Sequence, residues 1–149
     1  MRIRPAILLF GVLAGCASAD HPAAPPAAVQ PADAVTPLIG SEWLAEDIDG
    51  RGAAAGVRST LRFHAADQIS GSGGCNTYSG GLKMASGTVM FGPIATTRMS
   101  CAAAVMDQET RFFDVIVRTR GLEPDGGMLY LLDVTGARIA RLGNVVPAA

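Results

Sequence analysis

The sequence has no surplus of positive charge: 12 lysines and arginines stand against 13 aspartates and glutamates in 149 residues, a formal net charge of −1. Nucleic-acid binding needs a basic face that displaces condensed counterions, so that class of partner is excluded. Past the N-terminus no run of about 18 apolar residues is free of charges and helix breakers, which excludes a transmembrane helix there. Histidine is nearly absent, with only His21 and His64. Neither cysteine of the C-terminal region has a close C-x-x-C partner, so no zinc site can be assembled and no metal or cofactor is expected. Aromatic residues make up 5% of the chain and charged ones 17%, against 49% hydrophobic. A chain of this length supports one buried core, not two.

What is present begins with an address. Met1-Arg2-Ile3-Arg4 is basic, and Pro5 to Ala14 is apolar. Such a run behind two arginines predicts a secretory signal peptide over residues 1–15; the alternative is a buried N-terminal helix. Leu13-Ala14-Gly15-Cys16 resembles a bacterial lipobox, which implies that Cys16 is acylated and becomes the first mature residue. Several acyl chains anchor a protein stably without spanning the bilayer. Membrane lipid is then the expected partner through Cys16. Ala17 stands where an Asp would resemble an inner-membrane retention signal, so the outer membrane, on its periplasmic side, is the expected location. Residues 16–37 hold five of the nine prolines and almost no bulky side chains. They read as an Ala/Pro-rich tether, with His21 inside it.

If Cys16 is acylated, Cys75 and Cys101 remain, 26 positions apart. In an oxidising periplasm they are a disulfide candidate worth about 3 kcal/mol of loop-closure entropy. The alternative is two separate buried thiols.

From residue 38 short strands are expected. Trp43 to Ile48 ends at the turn Asp49-Gly50. Val57 to His64 alternates, with Val57, Ser59, Leu61 and Phe63 on one face and Arg58, Thr60, Arg62 and His64 on the other. Gln68 to Ser72 leads into the glycine-rich elbow Gly71-Ser72-Gly73-Gly74-Cys75-Asn76. Tyr78, Gly80, Leu82 and Met84 mark one face of the next strand, and Thr88 to Phe91 is ended by Pro93. An amphipathic helix of about 17 residues follows, over 102–119, capped by Ser100 and stopped by Gly121. Phe112 and Phe113 on it read as core anchors in preference to a ligand box. After a loop over 123–127, Met128 to Asp133 and Arg138 to Leu142 complete about seven strands, which one helix can close into a small barrel.

No catalytic constellation emerges. His64 lies on a polar strand face. Ser70 stands where a G-x-S-x-G nucleophile elbow needs its first glycine. Ser79 and Lys83 miss the S-x-x-K spacing, and the glycine elbow lacks the Gly-Lys-Ser/Thr ending of a phosphate loop. Glycine at the elbow instead allows positive φ or close backbone approach. A bulge there would swing Cys75 and Asn76 inward, with the Asn76 amide satisfying orphan backbone groups. Arg98 is expected to bond elbow carbonyls or a carboxylate.

Gly71-Ser72-Gly73-Gly74-Cys75-Asn76-Thr77-Tyr78-Ser79-Gly80, followed by Thr97-Arg98-Met99-Ser100-Cys101, resembles the G-x-x-G-C-N-x-[YF]-x-G and T-[KR]-M-x-C pair of the META domain of HslJ-like heat-inducible lipoproteins. Trp43 and Leu129-x-Leu131 also fit, so the resemblance covers residues 38–143 and leaves 144–149 as a tail. It marks Gly73, Gly74, Asn76, Tyr78, Gly80, Thr97, Arg98 and Met99 as structural motif positions around Cys75 and Cys101. It implies a mainly β (α+β) fold, a small antiparallel cracked β-barrel with one helix. It also implies a non-enzymatic envelope role linked to stress or antibiotic tolerance, through binding or structural support. The alternatives are a lipid- or peptide-binding carrier similar to pilotins, with an acyl ligand or an envelope protein as partner, and a hydrolase or protease inhibitor.

Overall fold

Three two-residue turns, Asp49-Gly50, Ser86-Gly87 and Gly126-Gly127, have positive φ at both positions. That backbone matches the twist of paired strands, so each turn closes a tight hairpin. A computed structural model describes residues 35–146. The signal peptide, Cys16, most of the tether with His21, and residues 147–149 lie outside the described residues.

The elements are β1 (Glu42–Ile48), β2 (Arg51–Gly52), β3 (Thr60–Ala65), β4 (Gln68–Ser72), β5 (Thr77–Ala85), β6 (Thr88–Thr96), α1 (Ala103–Arg118), β7 (Gly121–Asp125), β8 (Met128–Leu132) and β9 (Arg138–Val146). Antiparallel pairing gives the order β6-β5-β4-β3-β1-β9-β8-β7, with β2 appended to β1. The sheet curls without closing, which makes it a cracked barrel. Its two end strands meet where the Val89 N–H donates to the Arg120 carbonyl at 2.9 Å. The chain joins those ends through α1, whose buried face carries Gln108, Glu109, Phe112, Val115 and Ile116.

Leu61, Phe63, Phe112, Leu129, Leu131 and Leu142 fill the interior at 0% exposure. Burying each such side chain stabilises the fold by about 1.5–3 kcal/mol. Helix arginines tie the outside: Arg111 Nη1 donates to the Ile48 carbonyl at 3.2 Å, and Arg118 Nη2 to Asp49 Oδ1 at 3.0 Å.

The structure corrects several expectations. There are nine strands, because residues 121–125 form β7 and Arg51–Gly52 pairs with β1. β6 continues through Pro93 to Thr96; it is an end strand with a bulge at Gly92-Pro93, the setting in which a sheet tolerates proline. β3 starts at Thr60, whose side chain is buried, with Oγ1 accepting the Ser72 N–H. Ser100 does not cap the helix. Ala102 holds that position without a side-chain bond. The helix stops at Thr119, whose Oγ1 donates to the Val115 carbonyl at 2.8 Å, not at Gly121. Val35 and Leu38 are buried, so ordered packing begins inside the segment read as tether. β9 likewise runs on to Val146, into the segment read as tail.

Candidate functional site

The β4–β5 elbow turns where side chains are forbidden. A Cβ on Gly73 would lie 2.6 Å from both Glu109 Cγ and Phe113 Cζ. Gly74 adopts φ +131°, and its Cβ would meet Val57 Cγ1 at 2.8 Å. Within the turn the Gly73 N–H donates to the Asn76 carbonyl at 2.7 Å, and the Gly74 N–H to Ser72 Oγ at 3.1 Å. That close approach of helix and elbow leaves two backbone donors facing α1, and one side chain takes both.

That side chain is Glu109. Its Oε2 accepts the Cys75 N–H at 3.0 Å and the Asn76 N–H at 2.5 Å, while Oε1 accepts Asn76 Nδ2 at 2.6 Å. Asn76 Oδ1 then accepts the Met99 N–H at 2.6 Å and the Thr97 hydroxyl at 2.9 Å. Asn76 Nδ2 also donates to the Met99 carbonyl at 3.3 Å. One buried amide therefore joins the elbow, the β6–α1 connection and the helix. The Cys75–Cys101 disulfide, with Cα atoms 6.0 Å apart, ties the elbow to the β6–α1 connection a second time, just ahead of the helix.

A second polar row lies beside it. Gln108 Oε1 accepts the Ala54 N–H at 2.6 Å, and its Nε2 donates to Ser59 Oγ at 3.0 Å. Ser59 Oγ in turn donates to the Gly73 carbonyl at 2.6 Å. Tyr78 stands edge-on to Phe112 and Phe113, with centroids 6.1 and 5.4 Å away. Its hydroxyl donates to the Thr60 carbonyl at 2.9 Å, and burial pushes its pKa well above the usual phenol value. Gly80 admits no side chain, because a Cβ would sit 2.9 Å from Ile94 Cγ2.

The META domain family model matches residues 36–145. The chain belongs to the META domain family. Two solved structures are similar to it. One NMR structure shares 20% identity at a TM-score of 0.58, covering 78% of this chain and 95% of its own. An NMR structure of a protein from Burkholderia xenovorans shares 23% identity at a TM-score of 0.55, covering 89% and 97%. At these identities the likeness is one of fold. No curated protein matches the chain.

Within this META domain the motif residues divide. Gly73, Gly74, Cys75, Asn76, Tyr78, Thr97 and Cys101 converge on the buried network, and Gly80 lies further along β5. Met99 joins the network only through its backbone; its side chain is 61% exposed. Arg98 does not bond the elbow or a carboxylate. It is exposed and makes no hydrogen bond or ion pair among the described residues. The Gly73 and Asn76 carbonyls of the elbow accept from Ser59 Oγ and the Gly73 N–H, and the Glu109 carboxylate accepts from Cys75 and Asn76. Cys16 lies outside the described residues. Glu109, Gln108 and Ser59 carry the network without any motif reading to mark them. The available signal was Glu109 itself, an acid aligned with Val105, Phe112 and Ile116 on the apolar line of the helix.

Every donor and acceptor named in this network is spent on the fold. The arrangement fixes the helix against the sheet and holds the connection over 97–101 in one shape. It is an architectural centre, around which the outer faces of the domain are set.

Proposed function

We propose that this META-domain chain is a non-enzymatic envelope lipoprotein, held on the periplasmic face of the outer membrane by acylated Cys16, that contributes to stress or antibiotic tolerance by binding or structural support. The observation carrying this reading is the Cys75–Cys101 disulfide. A bridge of that kind belongs to an oxidising compartment. It also leaves Cys16 as the odd cysteine, directly behind the lipobox-like Leu13-Ala14-Gly15. Between Cys16 and the buried Val35 the chain can reach at most about 65 Å. That is enough to present the domain clear of lipid headgroups.

The filled interior disfavours the carrier reading. An acyl chain inside the barrel would have to displace Leu61, Phe63 and Phe112, all at 0% exposure. Binding therefore belongs to the outer surface. Membrane fractionation with metabolic fatty-acid labelling tests the proposal. The native chain is expected in the outer-membrane fraction with label, and Cys16→Ser in the soluble periplasm without it. Retention of Cys16→Ser in the membrane fraction overturns the reading.

A further inference from the structure

A sheet curled around its core is convex outside, so a hollow on its outer face has to be built. The outward faces of β3–β6 carry one of about 570 Å³, a size typical of small-molecule sites. Two register shifts flank it. His64 is the extra residue between the pairs Phe63–Ile69 and Ala65–Gln68, while Gly92 and Pro93 together face the single Gly81. Bulges bend a strand and re-aim its side chains. Here the first turns His64 towards Ser70, with Nε2 2.6 Å from Oγ.

Gly81 adds an independent sign. At Gly73, Gly74 and Gly80 the fold has no room for a side chain. At Gly81 φ lies outside the left-handed range, and the nearest atom to an added Cβ is the Asp67 carbonyl oxygen at 3.9 Å. Glycine weakens a strand interior, and no packing demand accounts for it at this position. What its missing side chain leaves is open space in the hollow.

The lining chemistry selects the occupant. It offers an imidazole (His64), a carboxamide (Gln68), two hydroxyls (Ser70, Ser79) and a carboxylate (Asp67), with no lysine, arginine, phenylalanine, tyrosine or tryptophan. Among the described carboxylates only Asp67 and Asp125 accept no hydrogen bond and join no ion pair. Asp67 supplies the one formal charge of the lining, which is otherwise rich in neutral hydrogen-bonding groups. An anion would be repelled and an acyl chain poorly matched. β4 and β5 are paired on both sides and offer no free edge to a peptide strand, and the end strand β6 borders the hollow at Pro93, which has no N–H to donate.

We infer that this hollow binds an amino sugar, its ammonium on Asp67 and its hydroxyls on His64, Gln68, Ser70 and Ser79. The inference rests on the reading of the domain as a binding module. The test is an amide-shift NMR titration of the full chain carrying Cys16→Ser with a β-1,4-linked glucosamine tetramer. Shifts are expected around residues 64–70 and 79–81. Asp67→Asn should weaken binding about tenfold, the loss of one charge-assisted contact. Gly81→Gln should abolish it while keeping the melting temperature and the disulfide of the parent. Affinity retained in Gly81→Gln overturns the location, and equal affinity for the neutral glucose tetramer overturns the ammonium contact. No shift with either sugar overturns the site, while the Cys16 fractionation result is read separately.

Discussion

Glu109 and Asn76 lie 33 positions apart and share two hydrogen bonds, backbone N–H to Oε2 at 2.5 Å and side-chain Nδ2 to Oε1 at 2.6 Å. Both residues are nearly inaccessible, at 5% and 4% exposure. Breaking a buried charge-assisted pair costs more than the bond itself, because the remaining partner stays desolvated. Glu109→Gln keeps the shape but sets an amide donor against another donor. We expect it to lower stability by about 2–3 kcal/mol in urea unfolding. Asn76→Asp alone opposes two carboxylates and should cost at least as much. The double variant restores a donor facing an acceptor, so it should be more stable than the sum of the single losses predicts.

The disulfide and the Asn76 amide clamp the same connection, so removing the bridge should weaken the fold without dissolving it. Cys75→Ser with Cys101→Ser is expected to lose about 3 kcal/mol by the chain-entropy argument. The far-ultraviolet circular dichroism should stay native at low denaturant. A variant that is unfolded in buffer would show that the bridge, and not the polar network, organises this region.

Glycine positions separate by what surrounds them. A Cβ on Gly71 would come within 2.0 Å of the Thr60 carbonyl oxygen, whereas on Gly81 it meets nothing closer than 3.9 Å. Gly71→Ala should therefore destabilise by about 3 kcal/mol or more through forced backbone displacement. Gly81→Ala should be neutral or stabilising by up to about 1 kcal/mol, the usual difference in a strand interior. Paired thermal melts decide the point.

Much of the architecture was legible from the sequence for local reasons. Asp49-Gly50 and Ser86-Gly87 announce tight hairpins, and Val105, Phe112 and Ile116 announce one face of a helix. What escaped depends on neighbours distant in sequence. Pro93 reads as a strand end unless its strand is known to lie at the sheet's limit with a bulge. Glu123-Pro124-Asp125 reads as part of a loop until β8 is seen to pair with it. Glu109 looks like a polar interruption of an apolar face, and its meaning appears only when the elbow's two N–H groups arrive against it. Arg98 is the converse case, a motif position with nothing to hold. Arg98→Ala should change stability by no more than about 0.5 kcal/mol.

The C-terminal hairpins are expected to loosen in acid. Asp133 is held below the usual carboxylate range first by the Thr135 hydroxyl, then by backbone N–H groups of Thr135 and Ala137. Glu123 is held down by its hydrogen bonds to Arg138. A depressed folded-state pKa contributes stability that is present above the unfolded value and lost as pH falls through the folded one. Stability should thus be flat from pH 7 to about 5 and decline below about 4. Asp133→Asn should show a shallower decline in the same titration of melting temperature.

At the alkaline end the sign reverses, and Tyr78 governs it. Burial raises its pKa far above the phenol value near 10, so the folded chain holds this group neutral while the unfolded chain releases the proton. The stabilisation is complete below about pH 10 and lost as pH rises beyond it. Tyr78→Phe removes this linkage and also the hydroxyl bond to the Thr60 carbonyl, which costs about 1 kcal/mol near neutrality. The variant should accordingly start lower at pH 7 and fall less steeply between pH 10 and 12. Parallel slopes for the two proteins across that interval would mean that the buried phenol is not what limits alkaline stability.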